Sequence, residues 1–312
     1  MPDSTRCRRY ALTMAAITVL FGAAAGFARA EQPRVAHKTT AAAVEVTEKW
    51  VTLFGVKIYY QEAGQGPVVI LLHGLGGDST NWAATIGPLS EHFRVLVPDQ
   101  VGFGKSDKPL ISYRVGTYVD FLDAFYKELK IGRASLVGNS LGGWISAAFA
   151  IAHPDKVDRL ILVDAAGFAL PKDPVAAGVA RSLNTSTRQG VKDILPLVFY
   201  NTQLYASDVA IDTFFTRRLK AGDGYTVEQV VESVIRGEDV LDNKLSGVKA
   251  PTLIVWGRED RLTTLAGGER FNKEIAGSRL KVIDKCGHVP QIEKAAEFNG
   301  IVLGFLNGAA GK

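Results

Sequence analysis

The sequence predicts an α/β chain: a mostly parallel central sheet, covered by helices on both faces, with a helical segment inserted late in the chain. Three observations carry this expectation. Short continuous apolar runs, such as Pro67 to Leu72 and Arg94 to Pro98, suit strands buried on both faces. Helical stretches separate these runs, and strands alternating with helices imply parallel pairing through crossovers. Finally, Gly138-Asn139-Ser140-Leu141-Gly142 stands between an apolar stretch and a helix of small apolar residues. A serine pinned there sits on a sharp, strained turn that pushes its side chain outward.

The 312 residues are 47% hydrophobic and 22% charged, enough for one large core with an added lobe. The net charge of +4 is uneven. Arg6, Arg8, Arg9 and Arg29 stand against Asp3 in the first 30 residues, which leaves 32 basic and 31 acidic residues in the rest. That balance points to no nucleic acid and no anionic surface as a partner.

Residues 1–30 have the form of an export signal. A basic start precedes the apolar run Ala11 to Ala28, and Ala28-Arg29-Ala30 forms a small-x-small cleavage site before Glu31. The Arg8-Arg9 pair partly matches a twin-arginine signal. The expectation is an exported, periplasmic or secreted protein with no stable membrane association after cleavage. The alternative is an uncleaved N-terminal membrane anchor, since the apolar run is just long enough to span. Cys286 is then the one cysteine of the mature chain and reads as a small buried apolar residue.

Residues 31–46 read as a flexible lead. Trp50 to Phe54 and Val56 to Tyr60, joined at Gly55, predict a hairpin at the sheet edge. The strand Pro67 to Leu72 ends in His73-Gly74-Leu75-Gly76-Gly77, and the strand Arg94 to Pro98 ends in Asp99. Tyr118, Phe121, Leu122, Phe125, Tyr126 and Leu129 recur at helical spacing, which predicts a helix over Thr117 to Ile131. Ala134 to Val137 and Leu141 to Ala152 are the strand and helix around Ser140. Arg159 to Val163 is the next strand, ending in Asp164. From 168 to 247 strand-like runs stop and helical patterns broken by prolines take over, a span too long for a loop. The rhythm then resumes with Thr252 to Trp256 and Leu280 to Ile283 as strands, and Gly267 to Ile275 and Gln291 to Leu306 as helices. Residues 47–167 and 248–308 are therefore the core, and 168–247 the inserted helical lobe.

In such sheets chemistry gathers at the carboxyl ends of the strands. His73, Asp99, Ser140, Asp164, Asp260 and His288 all fall there. A serine hydroxyl needs a base, and the base needs a carboxylate to fix its tautomer. His288 follows the last strand behind Gly287. His153, at the end of the serine's helix, reads as a surface residue, and His73 reads as structural or as a substrate contact. Asp260 and Asp164 are the candidate acids, and Asp260 completes the chain order Ser…Asp…His expected of this strand–turn–helix arrangement. Nothing in the sequence has metal-ligand spacing, and neither a metal nor a cofactor is expected.

These pieces resemble the α/β-hydrolase superfamily, from about Trp50 to Leu306. The matching stretches are Leu72-His73-Gly74-Leu75-Gly76, Asp99-x-x-Gly102-Phe103-Gly104-x-Ser106, Val137 to Gly143, Trp256-Gly257-Arg258-Glu259-Asp260 and Cys286-Gly287-His288. The resemblance implies Ser140 as nucleophile, His288 as general base and then acid, and Asp260 as the orienting acid. It also implies an oxyanion hole from the backbone N–H groups of Leu75 and Leu141. The Asp99 loop is structural in that family, and the insertion looks like its lid, or cap.

A serine at the turn sets the chain apart from haloalkane dehalogenases and epoxide hydrolases, which use aspartate there. The leading expectation is a hydrolase of small to medium carboxylic esters or lactones, acting on a small-molecule ester. The alternative is a C–C bond hydrolase of the meta-cleavage type. Gly138-Asn139-Ser140 resembles the triplet of those enzymes, and Arg218 lies where they carry an arginine for the substrate carboxylate. Asn139 and Arg218 are accordingly candidate substrate contacts. Those enzymes have Trp after the histidine, whereas this chain has Val289. A cofactor-free perhydrolase and a non-catalytic binding relative are further readings.

Overall fold

Alternate residues of each central strand point to opposite faces, and both faces are dry. In the computed structural model, which describes residues 44–308, Ile70, Leu72, Leu96, Leu136, Leu160, Leu162 and Ile254 belong to one apolar cluster. Their neighbours Val69, Leu71, Val95, Val97, Val137, Ile161, Val163, Leu253 and Val255 belong to another. Period-two alternation between two buried faces is what a continuous apolar run becomes inside a sheet covered on both sides. The expected signal and most of the expected lead lie outside the described residues.

The elements follow one another as β1 (Thr47–Leu53), β2 (Val56–Ala63), β3 (Val68–Leu72), α1 (Ala83–Ser90), β4 (Arg94–Pro98), α2 (Val115–Glu128), β5 (Ala134–Asn139), α3 (Leu141–Ala152) and β6 (Val157–Val163). Five helices come next: α4 (Pro174–Ser182), α5 (Arg188–Val198), α6 (Thr202–Tyr205), α7 (Asp208–Ala221) and α8 (Gly224–Ile235). The chain closes with β7 (Thr252–Gly257), α9 (Leu265–Glu274), β8 (Arg279–Ile283), α10 (Pro290–Glu293) and α11 (Ala295–Leu306). The eight strands form one sheet in the order β1-β2-β4-β3-β5-β6-β7-β8. β1 and β2, and β2 and β4, pair antiparallel, while the other pairs are parallel. No helix among the described residues is long and apolar enough to cross a membrane.

α1 carries Gly87 and Pro88 inside it. Pro88 has no N–H to give the carbonyl four residues back. That carbonyl, on Ala84, instead accepts from the Asn299 side chain of α11 at 2.8 Å. The closing helix, expected as one piece, breaks at Lys294 into α10 and α11.

The inserted helices have a small core of their own. Val191, Leu195, Phe199 and Ile211 pack with Val289, the residue after His288. α8 faces the other way, and Val227, Val230 and Val231 join the main core. The insertion therefore touches both the sheet's helical cover and the last catalytic-edge loop.

Candidate active site

Ser140 stands between β5 and α3 at φ 55°, ψ −116°. A non-glycine residue held there costs about 1–3 kcal/mol, so the surroundings must enforce it. They do so through the backbone: Ser140 N–H donates to Val163 O at 3.0 Å, and Ser140 O accepts from Ala166 and Trp144 N–H at 3.1 Å. The turn also needs bare backbone around it. A Cβ on Gly142 would lie 2.2 Å from Leu72 O, and one on Gly138 would lie 2.1 Å from Gly142 O. The N–H of Leu141 opens α3 and has no acceptor within the helix. The His73–Gly77 turn, which carries Leu75, comes against Ser140: a Cβ on Gly74 would sit 3.2 Å from the Ser140 Cβ.

His288 and Asp260 meet across the ends of β8 and β7. His288 Nδ1 lies 2.8 Å from Asp260 Oδ2, and both side chains are buried. The tautomer that donates from Nδ1 leaves Nε2 free to accept a proton. Asp260 Oδ1 accepts from the N–H groups of Leu262 at 2.7 Å and Thr263 at 3.0 Å. Burial pushes the Asp260 carboxyl up, but His288 and these hydrogen bonds outweigh it and hold the group below its ordinary value. The His288 loop is pinned by its own backbone. Its N–H donates to Val198 O at 2.7 Å, and its O accepts from Asn139 Nδ2 at 3.0 Å.

Two residues of the site were not singled out in the sequence. Thr263 Oγ1 lies 2.7 Å from Asp260 Oδ2, 3.1 Å from His288 Nδ1 and 3.0 Å from Asp164 O. The Asp-x-x-Thr spacing is the signal, since a short carboxylate turns back on N–H groups two and three residues on. Glu293 accepts from the N–H groups of Gly287, Tyr200 and Asn201, which ties the histidine loop to the insertion.

The remaining candidates fall into place as follows. His73 fits the structural one of its two expected readings. It has no exposed surface, its Nδ1 faces Gly74 O at 2.8 Å, and its Nε2 accepts from Gln100 N–H at 3.0 Å. Burial holds its ring below the ordinary histidine value, so the neutral form fits this role. The Asn139 Nδ2 donates to Val163 O at 3.2 Å and to His288 O at 3.0 Å, which braces the histidine loop. Asp99 accepts from Ser79 and Lys105 N–H, each at 2.7 Å, the structural part expected of it. His153 caps the far end of α3, about 20 Å along the helix from Ser140. Cys286 is buried, and burial pushes its thiol up, away from nucleophile chemistry.

Arg218 of α7 is brought to the site, its Nη1 3.0 Å from where a Cβ on Gly76 would be. It is not free. Nη1 donates to Asp223 Oδ1 at 2.7 Å and Oδ2 at 2.9 Å, and the Asp223 side chain is 1% exposed. Next to it, Arg217 reaches Asp78 at 2.7 Å, which ties α7 to the turn after β3.

Residues 67–295 match the family described as alpha/beta hydrolase fold. A 2-hydroxy-6-oxononadienedioate/2-hydroxy-6-oxononatrienedioate hydrolase of Escherichia coli K12 is 35% identical over 264 residues, covering 80% of this chain and 91% of that protein. Among solved structures, a bacterial membrane phospholipase A is similar with a TM-score of 0.77 at 29% identity, over 86% of this chain and 87% of its own. A meta-cleavage product hydrolase of Pseudomonas fluorescens IP01 is similar with a TM-score of 0.76 at 31% identity, over 84% of this chain and 98% of its own. With its sheet order, its strained serine turn and this family match over most of the described residues, the chain belongs to the α/β-hydrolase superfamily and is a hydrolase.

Proposed function

We propose that the chain is a serine hydrolase of carboxylic esters, with Ser140, His288 and Asp260 as its triad. Ser140 Oγ attacks the ester carbonyl while His288 Nε2 takes its proton. The N–H groups of Leu141 and Leu75 hold the oxyanion, and His288 then protonates the departing alcohol. Water, activated by the same histidine, releases the acid. The helical insertion serves as a lid whose apolar residues suit short to medium acyl chains.

The single observation that carries ester over C–C chemistry is the Arg218–Asp223 pair. A guanidinium already compensated by a buried carboxylate offers little net charge to a substrate carboxylate. Val289, where meta-cleavage enzymes carry Trp, fits the same reading. The second reading, a C–C hydrolase, is favoured by the E. coli relative and by the position of Arg218 in the insertion.

The test uses p-nitrophenyl esters of graded length beside a ring-fission dienoate, on the wild type and Arg218→Ala. Ester hydrolysis within a few-fold of wild type in both proteins is expected. Efficient dienoate cleavage that collapses in the variant, with trace esterase activity, would establish the C–C reading instead. Export is part of the proposal: cleavage after Ala30 would leave a mature chain beginning at Glu31. Mass spectrometry of the periplasmic fraction reads this directly, and an intact chain in the membrane fraction would mean an anchor.

A further inference from the structure

A second buried carboxyl adjoins the Asp260–His288 pair. Asp164 follows β6 at φ 42° and has no exposed surface. Its Oδ1 accepts from Gly257 N–H at 2.9 Å. Its Oδ2 is buried with no hydrogen-bond donor. An oxygen of Asp164, an oxygen of Asp260 and a ring nitrogen of His288 all lie within 4.8 Å of one another. Asp260 has four groups within hydrogen-bond distance, from His288, Leu262 and Thr263 twice, while Asp164 has one. Two carboxyls this close in a dry site do not both ionise, and the charge stays where the donors are.

We propose that Asp164 is a neutral carboxylic acid whose Oδ2–H donates to the Asp260 carboxylate, making it a positioning residue for the triad. This rests on the reading of Ser140, His288 and Asp260 given above. The proton satisfies the orphaned oxygen, and it limits the acid unit to one negative charge rather than two. During turnover it stays on Asp164, while His288 alone exchanges a proton with Ser140. Burial first, and then the charge of Asp260, push the Asp164 carboxyl well above its ordinary value. The other titratable groups facing it agree. Glu293 is a further negative charge, its oxygens held by three backbone N–H groups, and Cys286 is a neutral thiol.

The isosteric variant Asp164→Asn is the test. The amide oxygen keeps the Gly257 N–H, the amide nitrogen donates to Asp260, and asparagine tolerates positive φ. Ester kcat/KM is expected within about 3-fold of wild type, with the acid limb of its pH profile in place. Asp164→Ala removes the donor to a charged group, and a loss of roughly 10- to 100-fold is expected. The infrared difference spectrum of resting wild type minus Asp164→Asn at neutral pH should contain the C=O stretch of a protonated carboxylic acid. An ionised Asp164 predicts the opposite: no such band, and an acid limb displaced to lower pH in Asp164→Asn when a negative charge beside His288 is lost. Either result would overturn the proposal. Ester hydrolysis surviving in Ser140→Ala would instead defeat the triad reading, and the infrared band would still report the state of Asp164.

Discussion

Asp223→Asn should turn Arg218 from a structural cation into a recognition cation. The native pair is short and dry: Nη1 lies 2.7 and 2.9 Å from the two carboxylate oxygens, and the side chains are 16% and 1% exposed. Removing one charge of a buried pair costs about 3–5 kcal/mol. The amide keeps one acceptor for Nη1, so the lower figure applies, about 3 kcal/mol. For a domain of this size that lowers Tm by roughly 6–12 °C.

The released guanidinium sits beside Gly76 in the turn that carries Leu75. One charge-assisted hydrogen bond to a substrate carboxylate is worth about 1.5–3 kcal/mol. The ratio of kcat/KM for a ring-fission dienoate over a neutral p-nitrophenyl ester should therefore rise roughly 10- to 100-fold. Both substrates are assayed on both proteins at a temperature well below the variant's Tm. A folded variant whose ratio is unchanged, or falls, would refute the argument that Asp223 silences Arg218.

Other outcomes follow from the same geometry. Ser140→Ala should lower ester turnover by on the order of a million-fold, with thermal unfolding preserved or improved, because its turn is enforced by backbone hydrogen bonds. Asp260→Asn should cost on the order of ten thousand-fold by favouring the wrong histidine tautomer, measured as kcat with the same ester; a mild effect would move the acid elsewhere. Asp123 meets Lys127 at 2.6 Å and also pairs with Lys156. Burial pushes its carboxyl up, but those two hydrogen bonds outweigh it and hold it at about 2. Its folded value lies below its unfolded value, so its contribution is full above about pH 4 and is lost as pH falls through about 2. With solvent screening that contribution is about 1 kcal/mol. Urea unfolding of Asp123→Asn should show this deficit at pH 6 and a closing gap toward pH 2; a constant gap would count against the ion pairs.

The central strands were legible because they are buried twice over. A strand covered on both faces has no polar position, so Pro67 to Leu72 and Thr252 to Trp256 stand out as unbroken apolar runs. α1 was not legible. Its Gly87-Pro88 pair is a local stop signal, and the donor that rescues Ala84 O comes from Asn299, 215 residues away. The placement of Ser140, Asp260 and His288 at strand ends could be read because each follows a strand on a turn with its own glycine signature. Thr263 and Glu293 could not, because their partners come from several chain segments that only the fold assembles. The same reason explains His73 and Asn139. From sequence they are polar residues at strand ends, and only packing reveals that backbone groups occupy their nitrogens.

Strain and selectivity occupy different parts of this molecule. Ser140 and Asp164 both hold positive φ, at the ends of neighbouring strands β5 and β6. Each is fixed by ladder-like bonds, Ser140 N–H to Val163 O and Asp164 N–H to Val255 O, both 3.0 Å. The carboxyl ends of these central strands can carry such strain because the strands are buried on both sides. Arg218 and Asp223, in contrast, lie wholly within the inserted segment. Changes at Arg218 and Asp223 can therefore alter the charge near the turn after β3 without touching the hydrogen bonds of Asp260 and His288, whereas Ile211 of the same helix packs with Val289 beside the histidine. The stretch Val198 to Asn201 is also tied to the histidine loop. Val198 O takes the His288 N–H, and the Tyr200 and Asn201 N–H groups take Glu293. Displacing that stretch would move the His288 loop itself, so the Arg218–Asp223 pair tolerates change better than the end of α5.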